Sequence, residues 1–298
     1  MILRSLYISV TIIILFFITG CVESLPLTEE VEVQHKLFIE CELQANEEIT
    51  AYVSRPGYLN GNLQHLPPLD TSEIYLTLSE LNKDYVVHFK YNERLKHYFI
   101  DSSFFKIQKG VSYVLKGFII DSDNEINIMT ETPGRFLYDS VSVVNASFVT
   151  TSDNKVLTTA TIRVYYNPLK NSENHFLHLE LYKKQMTEEV SLYPQTDKSA
   201  FFRLAHRNGI LVDMTRMENK KYFDLLIEDV NVSRPDSFNF YIRNTTKPYY
   251  DYQKFKSNVP KEPLSSGNPA IAAFNINNTA GYGTFSSSFS ERIKISLK

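Results

Sequence analysis

The residues with the most chemical content stand early in the chain, at Ile18-Thr19-Gly20-Cys21. They close an apolar run from Leu6 to Ile18, which follows a short stretch with one charge, Arg4. This is the layout of a cleaved export signal, too short and wrongly flanked for a stable membrane span. An apolar residue, small residues, Gly and then Cys is the pattern that the bacterial lipoprotein peptidase reads. The chemistry is a thioether between a diacylglycerol and Cys21, followed by cleavage before it. Acyl chains contribute ~0.8 kcal/mol per buried methylene, and stable anchoring needs more than one chain. Residues 1–20 are therefore expected to be a lipoprotein signal peptide and 21–34 a lipidated tether. Pro26, Glu29 and Glu30 suit an extended, solvated segment there.

Other reactive side chains fall short of a site. Lipidation uses one of two cysteines, so Cys41 has no internal disulfide partner. It lies in Leu37-Phe38-Ile39-Glu40-Cys41-Glu42-Leu43, on the strand face of Leu37, Ile39 and Leu43, and reads as a small buried hydrophobe. His175 and His178 are the closest histidine pair, but an odd offset on a strand puts them on opposite faces. His178 shares a face with Glu180, and two ligands do not make a metal site. No metal is expected. Asp121, Asp123 and Glu125 alternate as calcium ligands would, yet the chain returns at once into a strand. Ser122-Asp123-Asn124 reads better as a hairpin turn.

Two further groups bear on binding and catalysis. Tyr249, Tyr250, Tyr252 and Phe255 could form an aromatic platform for sugar rings. At helical spacing, Tyr249, Tyr252 and Phe255 share a face that packs on a sheet, which leaves Tyr250 as the exposed, ligand-binding candidate. Ser286-Ser287-Ser288 lies in a strand-like run with no helix N-terminus to serve as an oxyanion hole. Gly-x-Ser-x-Gly, His-Glu-x-x-His and phosphate-loop patterns are all missing. Catalytic residues, cofactors and enzymatic activity are accordingly not expected; a hydrolase with a convergent site is the less favoured alternative.

The elements that must position these residues are strands. Period-2 alternation dominates from Lys36 onward, as in Ile74, Leu76 and Leu78 against Tyr75, Thr77 and Ser79. The 20 Phe and 19 Tyr favour strands, and Trp is absent. The pattern predicts an all-β protein of two β-sandwich-like domains: residues 35–134, Ig-like, and residues 135–298, mostly β with one short helix. That helix runs from Tyr249 to about Lys256, with Pro248 in its first turn. The boundary falls at Pro133-Gly134. Loops at Pro56–Asp70 and Pro260–Pro269 are the first places to look for a binding surface. The charge balance, 31 Lys+Arg against 34 Asp+Glu, contains no basic block and argues against nucleic acid.

A resemblance emerges from the order of several segments. They are Gly110-Val111-Ser112-Tyr113-Val114-Leu115, Asp121-Ser122-Asp123-Asn124-Glu125, Thr130-Glu131-Thr132-Pro133, and Asn275-Ile276-Asn277-Asn278-Thr279-Ala280-Gly281-Tyr282-Gly283-Thr284-Phe285. Behind a lipobox, this order resembles a Bacteroidota outer-membrane lipoprotein family catalogued as a domain of unknown function (DUF4249-like). The copy here has Asn275-Ile276-Asn277-Asn278 where that family usually has a more glycine-rich turn. The resemblance implies a lipid anchor in the outer membrane and a TonB-dependent transporter as partner. It supplies no catalytic residues. The expected role is an accessory lipoprotein that binds this partner and its cargo; the sequence names no small-molecule or glycan ligand. The rival reading is a structural or adhesive surface lipoprotein without a transporter.

Overall fold

The computed structural model describes residues 37–45, 47–54, 73–120, 125–171, 175–185, 188–192, 202–205, 209–217, 220–231, 237–258, 275–277 and 281–296. Alternation of apolar and polar side chains makes strands of about two thirds of them. The first half holds β1 (Leu37–Gln44), β2 (Ile49–Ser54), β3 (Ile74–Glu80), β4 (Val86–His88), β5 (Lys90–Asn92), β6 (His97–Ile100), β7 (Ser112–Ile119) and β8 (Glu125–Glu131). The second holds β9 (Tyr138–Thr150), β10 (Val156–Tyr166), β11 (Phe176–Gln185), β12 (Glu188–Leu192), β13 (Phe202–Leu204), β14 (Ile210–Asp213), β15 (Tyr222–Asn231) and β16 (Ser237–Thr245). A helix, α1 (Lys247–Asn258), and the strands β17 (Ile276–Asn277) and β18 (Gly281–Ser296) complete the order. The all-β expectation is met, and the described residues form one short α-helix.

One long sheet organises the molecule. Its path is β13-β14-β11-β16-β18-β1-β2-β6-β5, with β12 joined to β11 and β17 to β18. Two smaller sheets, β4-β3-β7-β8 and β15-β10-β9, pack on its front face. The first sandwich core joins Leu37, Ile39, Cys41 and Leu43 of β1 to Leu76, Leu78, Tyr113, Leu115 and Ile126. The second joins Leu177, Leu179, Phe238 and Phe240 to Ile162, Val164, Phe223 and Leu225. Burying each such side chain contributes roughly 1.5–3 kcal/mol.

The two sandwiches share a strand. β18 runs parallel to β1, pairing Leu37 with Gly281 through Gln44 with Ser288. Its other half runs antiparallel to β16, pairing Thr245 with Ser288 through Ser237 with Ser296. Phe285 therefore enters the first core and Ile295 the second. The chain from Val33 to Lys298 forms one compact unit. Pro133-Gly134 lies between β8 and β9, where the chain passes from one small sheet to the other, but the long sheet continues across that point. Asn244 of β16 donates to the Gly134 carbonyl at 2.9 Å and fixes this passage.

The stretch Tyr85–Lys90, which alternates as one strand, divides at Phe89. β4 belongs to a small sheet and β5 to the long one. Phe89 turns into the core at the crossing, and its N–H donates to the Leu76 carbonyl at 3.1 Å.

Candidate functional site

The back face of the long sheet is polar where the front is apolar. On β1, Glu40, Glu42 and Gln44 alternate with the core residues Ile39, Cys41 and Leu43. Antiparallel register sets Glu40 opposite Tyr52 and Glu42 opposite Thr50. These four, with Ala51 and with Leu95, Lys96 and His97 at the start of β6, line a cleft of about 440 Å³. His97 Nε2 is buried there and has no hydrogen-bond partner among the described residues. Burial raises the Tyr52 phenol above its ordinary value.

Cations hold the two carboxylates from the side away from β2. Lys256 of α1 lies 2.9 Å from both Glu40 oxygens, and the Tyr252 hydroxyl donates to Glu40 at 2.7 Å. Arg243 of β16 reaches Glu42 at 3.2 Å and Glu180 of β11 at 3.0 Å, and it also donates to Gln44. Ser288 donates to Glu42 at 3.2 Å. Burial opposes the charge on Arg243, but Tyr249, Glu42 and Glu180 hold its guanidinium pKa above the ordinary value. Burial, with Glu180 beside it, pushes the Tyr182 phenol up to about 12.

The remaining candidates are placed as follows. His178 and Glu180 do share the back face. His178 is buried and shares a 2.7 Å hydrogen bond with Tyr249, while His175 is exposed. Among the described residues, no three His, Cys, Asp or Glu side chains are grouped to hold a metal ion. Tyr250 departs from the expected exposure: it is 5% exposed and cannot serve as a surface platform. Its ring lies tilted against Phe176 with centroids 4.9 Å apart and packs with Leu211 and Ala205. The reason is that the long sheet extends beneath α1 from β18 across β11 to β13, with Phe176 of β11 and Leu211 of β14 meeting Tyr250, so Tyr249, Tyr250 and Tyr252 are all buried.

Cys41 is fully buried, and desolvation raises its thiol pKa far above the ordinary value. Ser287 donates to the Glu131 carbonyl at 2.7 Å and Ser288 to Glu42, so both hydroxyls serve structural acceptors. Glu125 faces Lys116 at 3.7 Å. Cys21, Asp121, Asp123 and the loops Pro56–Asp70 and Pro260–Pro269 lie outside the described residues.

The cleft residues were not singled out by sequence pattern. Glu40, Glu42, Thr50 and Tyr52 look like an ordinary solvated strand face. The only signal was that two acids alternate in a strand otherwise rich in core residues. Among the described residues, no helix is long and apolar enough to cross a membrane.

No family model matches the chain, and no curated protein matches it. Among solved structures, it is similar to the crystal structure of chicken CNTN1 FN1–FN3 domains, at 9% identity and a TM-score of 0.27. That match covers 87% of this chain and 66% of the other, a little under two thirds of its length.

Proposed function

We propose that this chain is a lipid-anchored accessory protein of the bacterial outer membrane, one that binds rather than catalyses. The observation that carries the reading is Ile18-Thr19-Gly20-Cys21 behind a short apolar run. In this reading Cys21 carries the lipid. The β-sandwich body stands off the membrane on residues 21–34 and presents its back-face cleft and sheet edges to a partner. The partner is a TonB-dependent transporter, as the likeness to the Bacteroidota lipoprotein family of unknown function implies. A binding role agrees with a fixed polar cleft whose charged groups are already paired with one another.

Labelling cells with radioactive palmitate tests the anchor. The wild-type chain takes up label and Cys21→Ser does not; equal labelling of both removes the lipoprotein reading. A tagged pull-down from gently solubilised outer membranes tests the partner. Recovery of one TonB-dependent transporter in near-equal amount supports it. Recovery of the lipoprotein alone, while known envelope complexes survive, favours the adhesive alternative.

A further inference from the structure

We propose that the cleft between β1, β2 and β6 takes a neutral polyhydroxylated ligand, a carbohydrate. The inference rests on reading the chain as a binding protein, and it names the chemistry of the cargo.

Glu40 and Glu42 would by themselves invite a cation. Each, however, is already matched by a cation of the protein: Lys256 for Glu40, Arg243 for Glu42. Lys96 stands on the cleft wall itself. A bound cation would meet Lys96, Lys256 and Arg243 around the same carboxylates and gain little net attraction. An anion would meet Lys96 but also two wall carboxylates whose matching cations are already engaged, and it too would gain little net attraction. A neutral ligand meets neither cost.

Hydrogen bonding points the same way. A carboxylate offers about four acceptor sites, and Glu40 receives three donor contacts, one from Tyr252 and two from Lys256. Those donors fix the orientation of its oxygens beside the cleft, so little ordering cost remains when a ligand hydroxyl binds. Thr50 adds a hydroxyl that both donates and accepts. The His97 ring forms part of the wall, with its Nε2 buried beneath the surface. Such a set suits hydroxyl groups, which both donate and accept.

The rest of the wall is apolar. Leu95, 59% exposed, and the Tyr52 ring flank the polar groups. Tyr52 is braced edge-on by Phe38, with ring centroids 6.4 Å apart. A sugar ring has an apolar C–H face and a rim of hydroxyls, which matches this division. The volume of about 440 Å³ falls in the range of small-molecule sites.

The test is a glycan array carrying neutral, amino-substituted and uronic-acid oligosaccharides, probed with the chain from residue 33 onward, which forms one compact unit. Neutral glycans are expected to bind. Tyr52→Ala and His97→Ala should each weaken that binding about tenfold or more. Thr50→Val, at an exposed position, should weaken it several-fold with an unchanged unfolding midpoint, which guards against misfolding as the cause. Binding confined to amino sugars or uronic acids, binding to no glycan, or neutral binding unaffected by all three substitutions would overturn the proposal. The pull-down reads the transporter independently. A transporter recovered beside a silent array rejects the cargo alone; a bound glycan without a transporter rejects only the partner.

Discussion

The Tyr252 hydroxyl of α1 donates to Glu40 of β1 at 2.7 Å, joining residues 212 positions apart in sequence. Lys256, one helical turn further, binds the same carboxylate. The two contacts tie the helix to the strand that lines the cleft. They differ in expected strength. Tyr252 is buried, whereas the Lys256–Glu40 pair is 29% and 24% exposed. Tyr252→Phe keeps the ring and removes one donor to a charged acceptor, and should cost about 1–2 kcal/mol in urea unfolding. Lys256→Ala should cost less than about 1 kcal/mol, shrinking further in added salt. The reverse ranking would mean that the ion pair, and not the phenol, holds the helix.

Gly283 carries the closest backbone approach in the parallel β1–β18 pairing. Its φ is +135°, and a Cβ there would sit 1.9 Å from the Ile39 carbonyl oxygen. That oxygen is backbone within a paired strand and cannot swing aside. Gly283→Ala should therefore destabilise by about 3 kcal/mol or more. Gly110 is the control. Its φ of +69° is also positive, though within the left-handed helical range, and a Cβ there meets nothing within 4 Å. Gly110→Ala should cost only about 1–2 kcal/mol, the conformational penalty alone. Equal costs at the two positions, measured by urea unfolding, would show that contact with Ile39 contributes nothing.

These two relationships also mark what sequence could reveal. Alternation of Leu37, Ile39, Cys41 and Leu43 sufficed to place β1 and its buried face, because strand periodicity is a local property. The parallel partner of β1 was not legible, since its pairing with Gly281–Ser288 has no local signal so far along the chain. Tyr250 failed for a related reason. Helical spacing showed that Tyr249 and Tyr252 share a face, but it could not show that Phe176 of β11 and Leu211 of β14 would meet Tyr250 as well. Arg243 alternates with Ile242 as a solvent-facing residue would. Only the strand order β11-β16-β18-β1 brings Glu180 and Glu42 to either side of it.

Asp101 offers a titration that reports on the turn after β6. Its carboxylate accepts from the Ser103 backbone N–H at 2.8 Å, and this bond, with the Ser103 hydroxyl, holds its pKa below the ordinary value. A depressed folded pKa means stabilisation that is present above the unfolded value, about 3.9, and lost as pH falls through the folded one. The Ser103 amide shift in NMR should accordingly titrate with a midpoint below about 3.9. In Asp101→Asn the titration should vanish. A midpoint at or above the ordinary carboxylate value would mean that the turn is not closed in solution.

Arg243 is the most consequential single side chain on the back face. It is 12% exposed and lies between Glu42 and Glu180, which are 14% and 9% exposed. Arg243→Met keeps much of the volume and removes the cation, leaving two poorly hydrated carboxylates facing each other. Breaking a buried pair in this way costs about 3–5 kcal/mol at neutral pH. The deficit should depend on pH with a definite sign. In the variant, burial and mutual repulsion disfavour the ionised form of both carboxylates in the folded state. The native state is therefore spared at low pH, where they are protonated, and penalised as pH rises and they ionise. Arg243→Met should thus approach wild-type stability near pH 4 and fall behind above it. Adding Glu180→Gln to Arg243→Met should recover part of the loss at neutral pH, because one of the uncompensated charges is gone. Urea unfolding of the three proteins across this range reads all of these effects, and a deficit constant with pH would show that lost packing, and not stranded charge, sets the cost.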